Sequence, residues 1–126
     1  MKFDMIAPLL GFEDVKQVEL QKIDDIFMKM KSSEDENISF TLVNPYALRE
    51  YDFEISQQMK ESLQITTESN ILIFNIVLIQ TPIEDSVVNF IGPLIFNTDV
   101  SKAAQIILAD SREYGVAEKI SSFLKK

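Results

Sequence analysis

The sequence predicts a mainly β protein, a small antiparallel β-barrel-like domain with a short helix in mid-chain and another at the C-terminus. Two observations predict the sheet: apolar and polar residues alternate in several short runs, and turn residues separate these runs. A third is the composition, 126 residues with 46% hydrophobic and 25% charged side chains, which is typical of one folded domain. We therefore expect a single domain over 1–126, with a β-rich body to about 110.

The strand predictions follow the apolar pattern along the chain. Residues 71–79 are apolar on both faces, which indicates a central buried strand. Gly92-Pro93 predicts a bend or bulge, because Pro93 has no N–H to donate to a ladder. Further strands are predicted over 38–42, 50–55, 87–91 and 94–97. Two more segments, 23–30 and 102–109, are also predicted as strands, although their pattern fits a helix as well.

Two segments have helical signals. Ser56 is a suitable N-cap for a short helix that contains Met59 and ends near Leu63. Near the C-terminus, apolar residues recur at the spacing of one helical stripe, which predicts a helix over about 115–126; they are Val116, Ile120, Phe123 and Leu124.

The composition excludes several classes of function. The chain has no Cys and no His, so we expect no disulfide, thiolate nucleophile, tetrahedral zinc site or histidine-dependent catalytic triad, and we expect no cofactor. The net charge of −8 opposes direct binding to nucleic acid or to an anionic membrane. The longest apolar run, 71–79, is far shorter than the ~20 residues of a membrane helix. We expect a cytoplasmic, non-catalytic protein that interacts with a partner.

Three acidic segments are candidate sites. Asp24-Asp25 reads as a solvated turn, and the acidic loop 34–37 lacks the ligand spacing of a calcium loop, although a calcium site there is conceivable. Glu50, Asp52 and Glu54 alternate with apolar residues. In a strand these carboxylates would lie about 6–7 Å apart on one face. That face is either plain solvent-exposed surface or a contact for a basic partner.

Several blocks resemble the flagellar assembly factor FliW family. Pro8-Leu-Leu-Gly11-Phe12-Glu is similar to the family's P-x-L/I-G-F-E segment, and the run from Ile38 to Pro45-Tyr46 is similar to its strand and D/N-P-aromatic turn. The family's V-N-x-x-A-P-I-x-x-N block resembles residues 88–97, which contain Val88, Asn89, Pro93 and Asn97 and have Gly92 where alanine is usual. The family's next strand, K-Q-V-I-L, resembles residues 104–108. Many family members have an extra strand or two before the first block, so the resemblance leaves barrel closure open.

The resemblance implies a function that composition alone does not. Members of the family are non-catalytic. They bind newly made flagellin in the cytoplasm and, when free of flagellin, bind and antagonise CsrA, a basic repressor of flagellin translation. The alternative is a dedicated flagellin chaperone without a role toward CsrA. A carboxylate hydrolase and a structural subunit of an oligomer are further alternatives.

The resemblance and the local pattern together give two sets of site residues. Flagellin termini are amphipathic helices that would fit an apolar groove. The expected partner-binding residues are Tyr46, Leu48, Glu50, Tyr51, Asp52, Phe53 and Glu54. The family-motif residues expected to shape turns and bulges are Pro8, Gly11, Phe12, Pro45, Asn89, Gly92, Pro93 and Asn97.

Overall fold

The computed structural model describes residues 1–108 and 114–123, which form mostly short strands. Seven strands build the body: β1 (Lys2–Met5), β2 (Gln17–Lys22), β3 (Phe27–Ser32), β4 (Ser39–Val43), β5 (Ile71–Leu78), β7 (Leu94–Asn97) and β8 (Lys102–Gln105). Two strands of two residues each, β6 (Val87–Val88) and β9 (Glu118–Lys119), extend the sheet from β5. One α-helix, α1 (Gln57–Ser62), is found in the described part of the chain.

The predicted barrel is confirmed. Its strands follow the order β4-β3-β2-β1-β8-β7-β5, and β5 returns to β4 through the pairs Thr41↔Val77, Leu42↔Ile76 and Val43↔Asn75. Neighbouring strands are antiparallel except β1 and β8, which run parallel. The strand β1, which the sequence pattern did not predict, fills the gap between β2 and β8, so the short segment before the first motif is enough to complete the ring.

The barrel interior is filled by side chains from all seven strands. Phe96 lies at its centre, with its ring edge-on to Phe3 at 5.0 Å and to Phe74 at 5.9 Å between ring centroids. Each fully buried side chain of this size contributes about 1.5–3 kcal/mol to stability. The other strand residues buried there are Val18, Leu20, Met30, Leu42, Leu94 and Ala103.

The bend at Gly92-Pro93 is confirmed as part of a large bulge. Val77 pairs with Val88, and Phe74 pairs with Leu94, so the five residues 89–93 lie opposite only two residues of β5. The predicted strand over 87–91 therefore ends at Val88, and the predicted strand over 94–97 is confirmed as β7.

The mid-chain helix is confirmed as α1. The Ser56 hydroxyl accepts a hydrogen bond from the Met59 N–H at 3.1 Å, which satisfies one free donor of the first turn. The helix covers the outer face of β7 and β8, where Leu63, Ile95 and Ala104 are fully buried.

The predicted strand over 50–55 is wrong, although its alternation is real. Residues 50, 52 and 54 are exposed and Tyr51 is buried, but the segment joins no ladder. Where the segment meets β5, near Tyr51, both edges of β5 are already occupied, by β4 on one side and by β6 and β7 on the other. The segment therefore crosses the outside of the barrel as extended chain.

The predicted helix over about 115–126 is also wrong for the described residues 114–123. There the chain forms β9 and a single 3-10 turn, Ile120–Ser122. The backbone pairs with β6, and the Phe90 N–H donates to the Gly115 carbonyl oxygen at 2.9 Å, so these bonds replace helical ones. Val116 is 65% exposed, whereas a helical stripe would bury it with Ile120. Residues 124–126 lie outside the described part of the chain.

Strands at the two ambiguous segments are confirmed in part. β3 covers the later half of the segment 23–30, and Asp24 and Asp25 form the turn before it. β8 covers only the start of 102–109, and residues 106–108 are in no strand. Residue 109 lies outside the described residues.

Candidate partner-binding surface

The expected partner-binding residues lie on one segment that wraps the barrel. It begins where the Asn44 side-chain oxygen accepts the Tyr46 N–H at 3.0 Å and starts a 3-10 turn, Pro45–Ala47. After this turn the chain is extended up to the cap of α1. Alternate side chains of the extended part therefore face the barrel and the solvent.

Tyr51 anchors the inner side of this segment. Its hydroxyl donates to the Phe90 carbonyl oxygen and accepts from the Asn75 Nδ2 at 3.1 Å. Its ring lies 4.8 Å from the Tyr114 ring and 5.3 Å from the Phe53 ring. Burial raises the pKa of Tyr51 to about 12, so the phenol is neutral at physiological pH. Its arrangement is that of a structural anchor.

Arg49 joins this segment to residues 114–123, which we call the C-terminal strap. The guanidinium carbon lies 5.1 Å from the Phe90 ring centre, 4.9 Å from Tyr114 and 5.1 Å from Phe123, and its Nη1 is 3.2 Å from a Glu118 carboxylate oxygen. Cation–π contacts of a partly desolvated guanidinium contribute about 0.5–2 kcal/mol. Arg49 therefore holds the strap against the barrel.

Tyr114 ties the strap to the backbone of the acidic residues. Its hydroxyl accepts from the Asp52 N–H at 2.9 Å and donates to the Asp52 carbonyl oxygen at 3.0 Å. These two bonds replace the ladder bonds that a strand would have given this residue. The extended shape of 50–54 therefore depends on the strap.

The outer side of the segment carries three carboxylates. Glu50, Asp52 and Glu54 are all exposed, and we call these three residues the acidic strip. Since their backbone is fixed from behind by Tyr51 and Tyr114, the carboxylates project from a supported surface rather than from a loose loop. The arrangement can attract a basic protein surface.

The apolar members of the expected site differ in their exposure. Tyr51 is 6% exposed, Leu48 and Phe53 are half-buried, and only Tyr46 is well exposed, at 54%. The Tyr46 ring rests edge-on against Tyr51 at 6.1 Å, and partial burial raises the pKa of Tyr46 above its ordinary value. These side chains hold the segment to the barrel, and Tyr46 is the most exposed of them.

The first family-motif residues lie in one turn at an end of the barrel. Gly11 has φ +85, a conformation that favours glycine, and its N–H donates to a Glu13 carboxylate oxygen at 3.0 Å. Phe12 is 42% exposed and its ring lies edge-on to Phe40 at 4.9 Å. Pro8 is exposed in the same loop, and Leu9 beside it is fully buried.

Gln105 connects this turn to the bulge 89–93. Its side-chain oxygen accepts the Leu10 N–H at 2.9 Å, and its Nε2 donates to the Gly92 carbonyl oxygen at 3.1 Å. A Cβ at position 92 would lie 2.8 Å from that Nε2, so an alanine there would displace the Gln105 amide. Asn89 closes the bulge, because its side-chain oxygen accepts the N–H groups of Ile91 and Gly92, each at 3.1 Å.

The remaining motif residues are buried at the ends of strands. Pro45 starts the 3-10 turn after β4, and Pro93 precedes β7. Asn97 ends β7, and its amide donates to the carbonyl oxygens of Leu63 at 2.9 Å and Gln64 at 3.2 Å. These contacts lie within the protein.

The other acidic candidates lie in turns. An Asp24 carboxylate oxygen accepts the N–H groups of Ile26 and Phe27, each at 2.8 Å, and these bonds lower the pKa of Asp24. Asp35 in the loop 34–37 accepts the Asn37 N–H at 2.9 Å. Within residues 1–108 and 114–123, no group of three acidic residues is placed to hold a metal ion. In the same residues, no helix is long and apolar enough to span a membrane.

Sequence reasoning missed two features of the site. Arg49 and Tyr114 are 65 residues apart in the chain, and no local pattern links them. It also missed an exposed apolar groove of about 590 Å³ between the start of β4 and the end of β5, which we call the seam groove. The run 71–79 looked entirely buried, yet Leu78 is 61% and Ile79 is 47% exposed. The sequence signal for this groove was Ile79, an apolar residue that lies just past the end of β5.

Comparison with known proteins identifies the family. The family model described as FliW protein matches residues 1–120. The chain is 67% identical over 126 residues to "Flagellar assembly factor FliW" of Sulfurimonas denitrificans, with all of both chains covered. The chain belongs to the FliW family.

Two further comparisons agree with this family assignment. The chain is 50% identical to "Flagellar assembly factor FliW 2" of Wolinella succinogenes, over 98% of this chain and 92% of the relative. The solved structure titled "Crystal structure of the flagellar assembly factor FliW" has a TM-score of 0.88, covers 99% of this chain and 87% of that chain, and is 23% identical. This last likeness shows the fold, the FliW barrel described above. The resemblance of the sequence blocks to FliW is thereby confirmed.

Proposed function

We propose that this FliW family member couples flagellin synthesis to flagellin export by exchanging two protein partners. In this proposal it binds newly made flagellin in the cytoplasm. When flagellin has been exported, the free protein binds CsrA and prevents CsrA from repressing flagellin translation. The protein acts by binding, without catalysis, metal or cofactor.

The observation that carries the CsrA half of the proposal is the acidic strip. Three exposed carboxylates lie on a segment whose backbone is held by Tyr51 and Tyr114, so a basic protein can bind them without first ordering a loop. The net charge of −8 favours rapid approach of a basic partner and disfavours nucleic acid itself. The protein therefore would act on CsrA and not on its RNA.

A dedicated flagellin chaperone is the second candidate, and it would use the seam groove without the acidic strip. Exposed apolar surface next to the barrel end suits an aggregation-prone apolar segment of a partner. In that case flagellin binds but CsrA does not.

Size-exclusion chromatography with purified CsrA and flagellin tests both candidates. We expect a complex with CsrA that weakens as salt is raised from low to moderate concentration and dissociates when flagellin is added. A flagellin complex without any CsrA complex would leave the chaperone. Neither complex at micromolar concentration would contradict both candidates.

A competition experiment tests how CsrA is antagonised. Affinity for CsrA is measured with and without a saturating RNA target. Unchanged affinity would exclude direct occlusion of the RNA site, because coupling between two ligands is reciprocal.

A further inference from the structure

The first half of β5 extends beyond the end of its neighbour β4 and has one open edge. β4 pairs with β5 over residues 75–77 only, whereas the pairing of β5 with β7 runs back to Ile71. On the β4 side, residues 71–74 have no strand partner among residues 1–108 and 114–123. An open strand edge presents N–H and C=O groups with which another extended chain can pair.

The hydrogen-bond pattern shows which backbone groups this edge offers. At the start of the ladder with β7, the Asn70 carbonyl oxygen accepts the Thr98 N–H at 3.0 Å. Backbone groups alternate in direction along an antiparallel ladder, so those of Ile71 and Ile73 point away from β7, toward the open edge. In the described part of the chain, no hydrogen bond to the N–H or C=O groups of these two residues is found on that side.

Pro45 explains why β4 does not cover this edge. In the register of the two strands, residue 45 would lie opposite Ile73. Proline has no N–H to donate. The Pro45 carbonyl oxygen already accepts the N–H groups of Leu48 at 3.0 Å and Arg49 at 3.1 Å. The chain that follows β4 therefore offers Ile73 neither a donor nor a free acceptor, and the edge stays open.

A cavity of about 380 Å³ runs along the open edge. It is lined by the four consecutive residues 71–74 together with Asn44 and Tyr46, so it follows the strand edge rather than one face of the sheet. Leu72 and Phe74 belong to the packing of the barrel interior. Tyr46 lies outside the barrel and is 54% exposed. An extended chain in this cavity would have apolar neighbours on its inner face and Tyr46 on its outer face.

A negative charge lies near the outer side of the cavity. Burial raises the pKa of Tyr46, and the carboxylate of the exposed Asp52 raises it further, which places that charge near the Tyr46 hydroxyl. The chain as a whole has a net charge of −8. A basic side chain on the outer face of an added strand would therefore be attracted, whereas a second copy of this chain would be repelled.

We propose that the edge of residues 71–74 binds an extended segment of another protein as an added strand, antiparallel to β5. This segment alternates apolar and basic residues, with the apolar side chains toward Leu72 and Phe74 and the basic ones toward Tyr46. Backbone pairing supplies the affinity, and the alternate side chains supply the selection. The inference goes beyond the proposed function, because the exchange of partners proposed above does not require this edge.

Amide hydrogen exchange, followed by NMR, tests whether the edge is open and where a peptide binds. In the free protein, the amides of Ile71 and Ile73 should exchange at least about tenfold faster than those of Leu72 and Phe74, which bond toward β7. The probe is a capped peptide of about seven residues in which lysine and valine alternate. At saturation it should slow exchange at Ile71 and Ile73 at least about threefold and leave Leu72 unchanged.

Two N-methylated forms of the peptide are matched controls. Residues that exchange hydrogen bonds in an antiparallel pair lie directly opposite each other, with their side chains on the same face. The side chains of Ile71 and Ile73 pack outside the barrel, so the outward lysines of the peptide should bond to them. Methylation of the lysine N–H groups should weaken binding about tenfold or more, whereas methylation of the valine N–H groups should change it less than about twofold.

Two variants of the protein test the charge on the outer face. Asp52→Asn should weaken binding of the lysine–valine peptide about threefold. Glu36→Gln removes the same charge from the exposed loop before β4, at the opposite end of that strand, and should leave the affinity unchanged. Far-UV circular dichroism and thermal unfolding check that each variant is folded.

Several results would overturn the proposal. Slow exchange of Ile71 and Ile73 in the free protein would show that the edge is not open. Protection that appears without peptide and rises with protein concentration would assign the edge to a second copy of the chain. Equal binding of the two methylated peptides would exclude an added antiparallel strand, and equal affinity of the Asp52→Asn and Glu36→Gln variants would remove the basic residues from the proposed ligand.

Discussion

The acidic strip and the seam groove show two opposite ways to present a surface. Behind the acidic strip, Tyr51 and Tyr114 fix the backbone through hydrogen bonds, and Arg49 packs on three aromatic rings. Behind the seam groove two strands simply part, and apolar side chains are left uncovered. The charged surface is supported by hydrogen bonds and ring contacts, whereas the apolar surface has no such support from strand pairing. A rigid charged surface suits selective recognition, while an adaptable apolar one suits a partner that is not yet folded.

The largest effect is expected from removing the anchor of the strip. Tyr51→Ala should lower the free energy of unfolding by about 3–5 kcal/mol, because it leaves a large cavity and unpaired polar groups at Asn75 and Phe90. Urea unfolding measures this, with the exposed Tyr46→Ala as control, for which we expect a much smaller loss. A similar loss for both variants would show that Tyr51 is no anchor.

Arg49→Met sharpens the comparison by releasing the C-terminal strap. Methionine keeps much of the packing but loses the cation–π contacts and the ion pair with Glu118, so we expect a loss of about 2 kcal/mol. Hydrogen exchange should rise at the amides of residues 50–54 and stay unchanged at β4 and β5. Equal protection of the strip in both proteins would mean that the strap does not support it.

Charge reversal on the strip should separate binding from folding. Asp52→Lys with Glu54→Lys should weaken CsrA binding about tenfold or more at low salt, since like charges then oppose the basic partner. The free energy of unfolding should change by no more than about 0.5 kcal/mol, because both side chains are exposed. Isothermal titration calorimetry and urea unfolding give the two quantities. Unchanged affinity at low salt would remove the strip from the CsrA contact.

The smallest expected effect is a pH dependence from Tyr51. Its folded pKa of about 12 lies above the ordinary value of 10.0, so the fold favours the neutral phenol. This contribution is complete below pH 10, and stability falls as the pH rises from 10 toward 12. Tyr51→Phe should show a shallower decline of the urea midpoint across that window than the wild type, although it is less stable at neutral pH. Parallel declines in the two proteins would exclude Tyr51 as the source.

Local patterns predicted the elements that local forces determine. The cap at Ser56 and the bend at Gly92-Pro93 depend on neighbouring residues, and both are present. The alternation over 50–55 correctly placed Tyr51 inside and the carboxylates outside, but it could not show that no strand edge remained for this segment. Whether a β-like segment joins a ladder depends on which edges the rest of the chain has occupied.

The site was predictable only on its exposed polar side. The carboxylates of the acidic strip alternate in sequence and could be found there. Arg49 and Tyr114 meet only after the chain has wrapped the barrel, so their contact leaves no periodic signal. The helical stripe at the C-terminus misled because its spacing also suits a short strand and turn, and pairing with β6 favoured the latter.

The parallel pairing of β1 with β8 affects how the protein can fold during its synthesis. Asp4 pairs with Lys102, so β1 cannot complete its pairing until β8, about a hundred residues later in the chain, has been made. Until β8 emerges, Phe3 and the rest of the barrel interior stay open on one side, and the nascent chain exposes apolar surface for most of its translation. Non-local closure of this kind slows folding, so completion of the barrel becomes a late, all-or-none event.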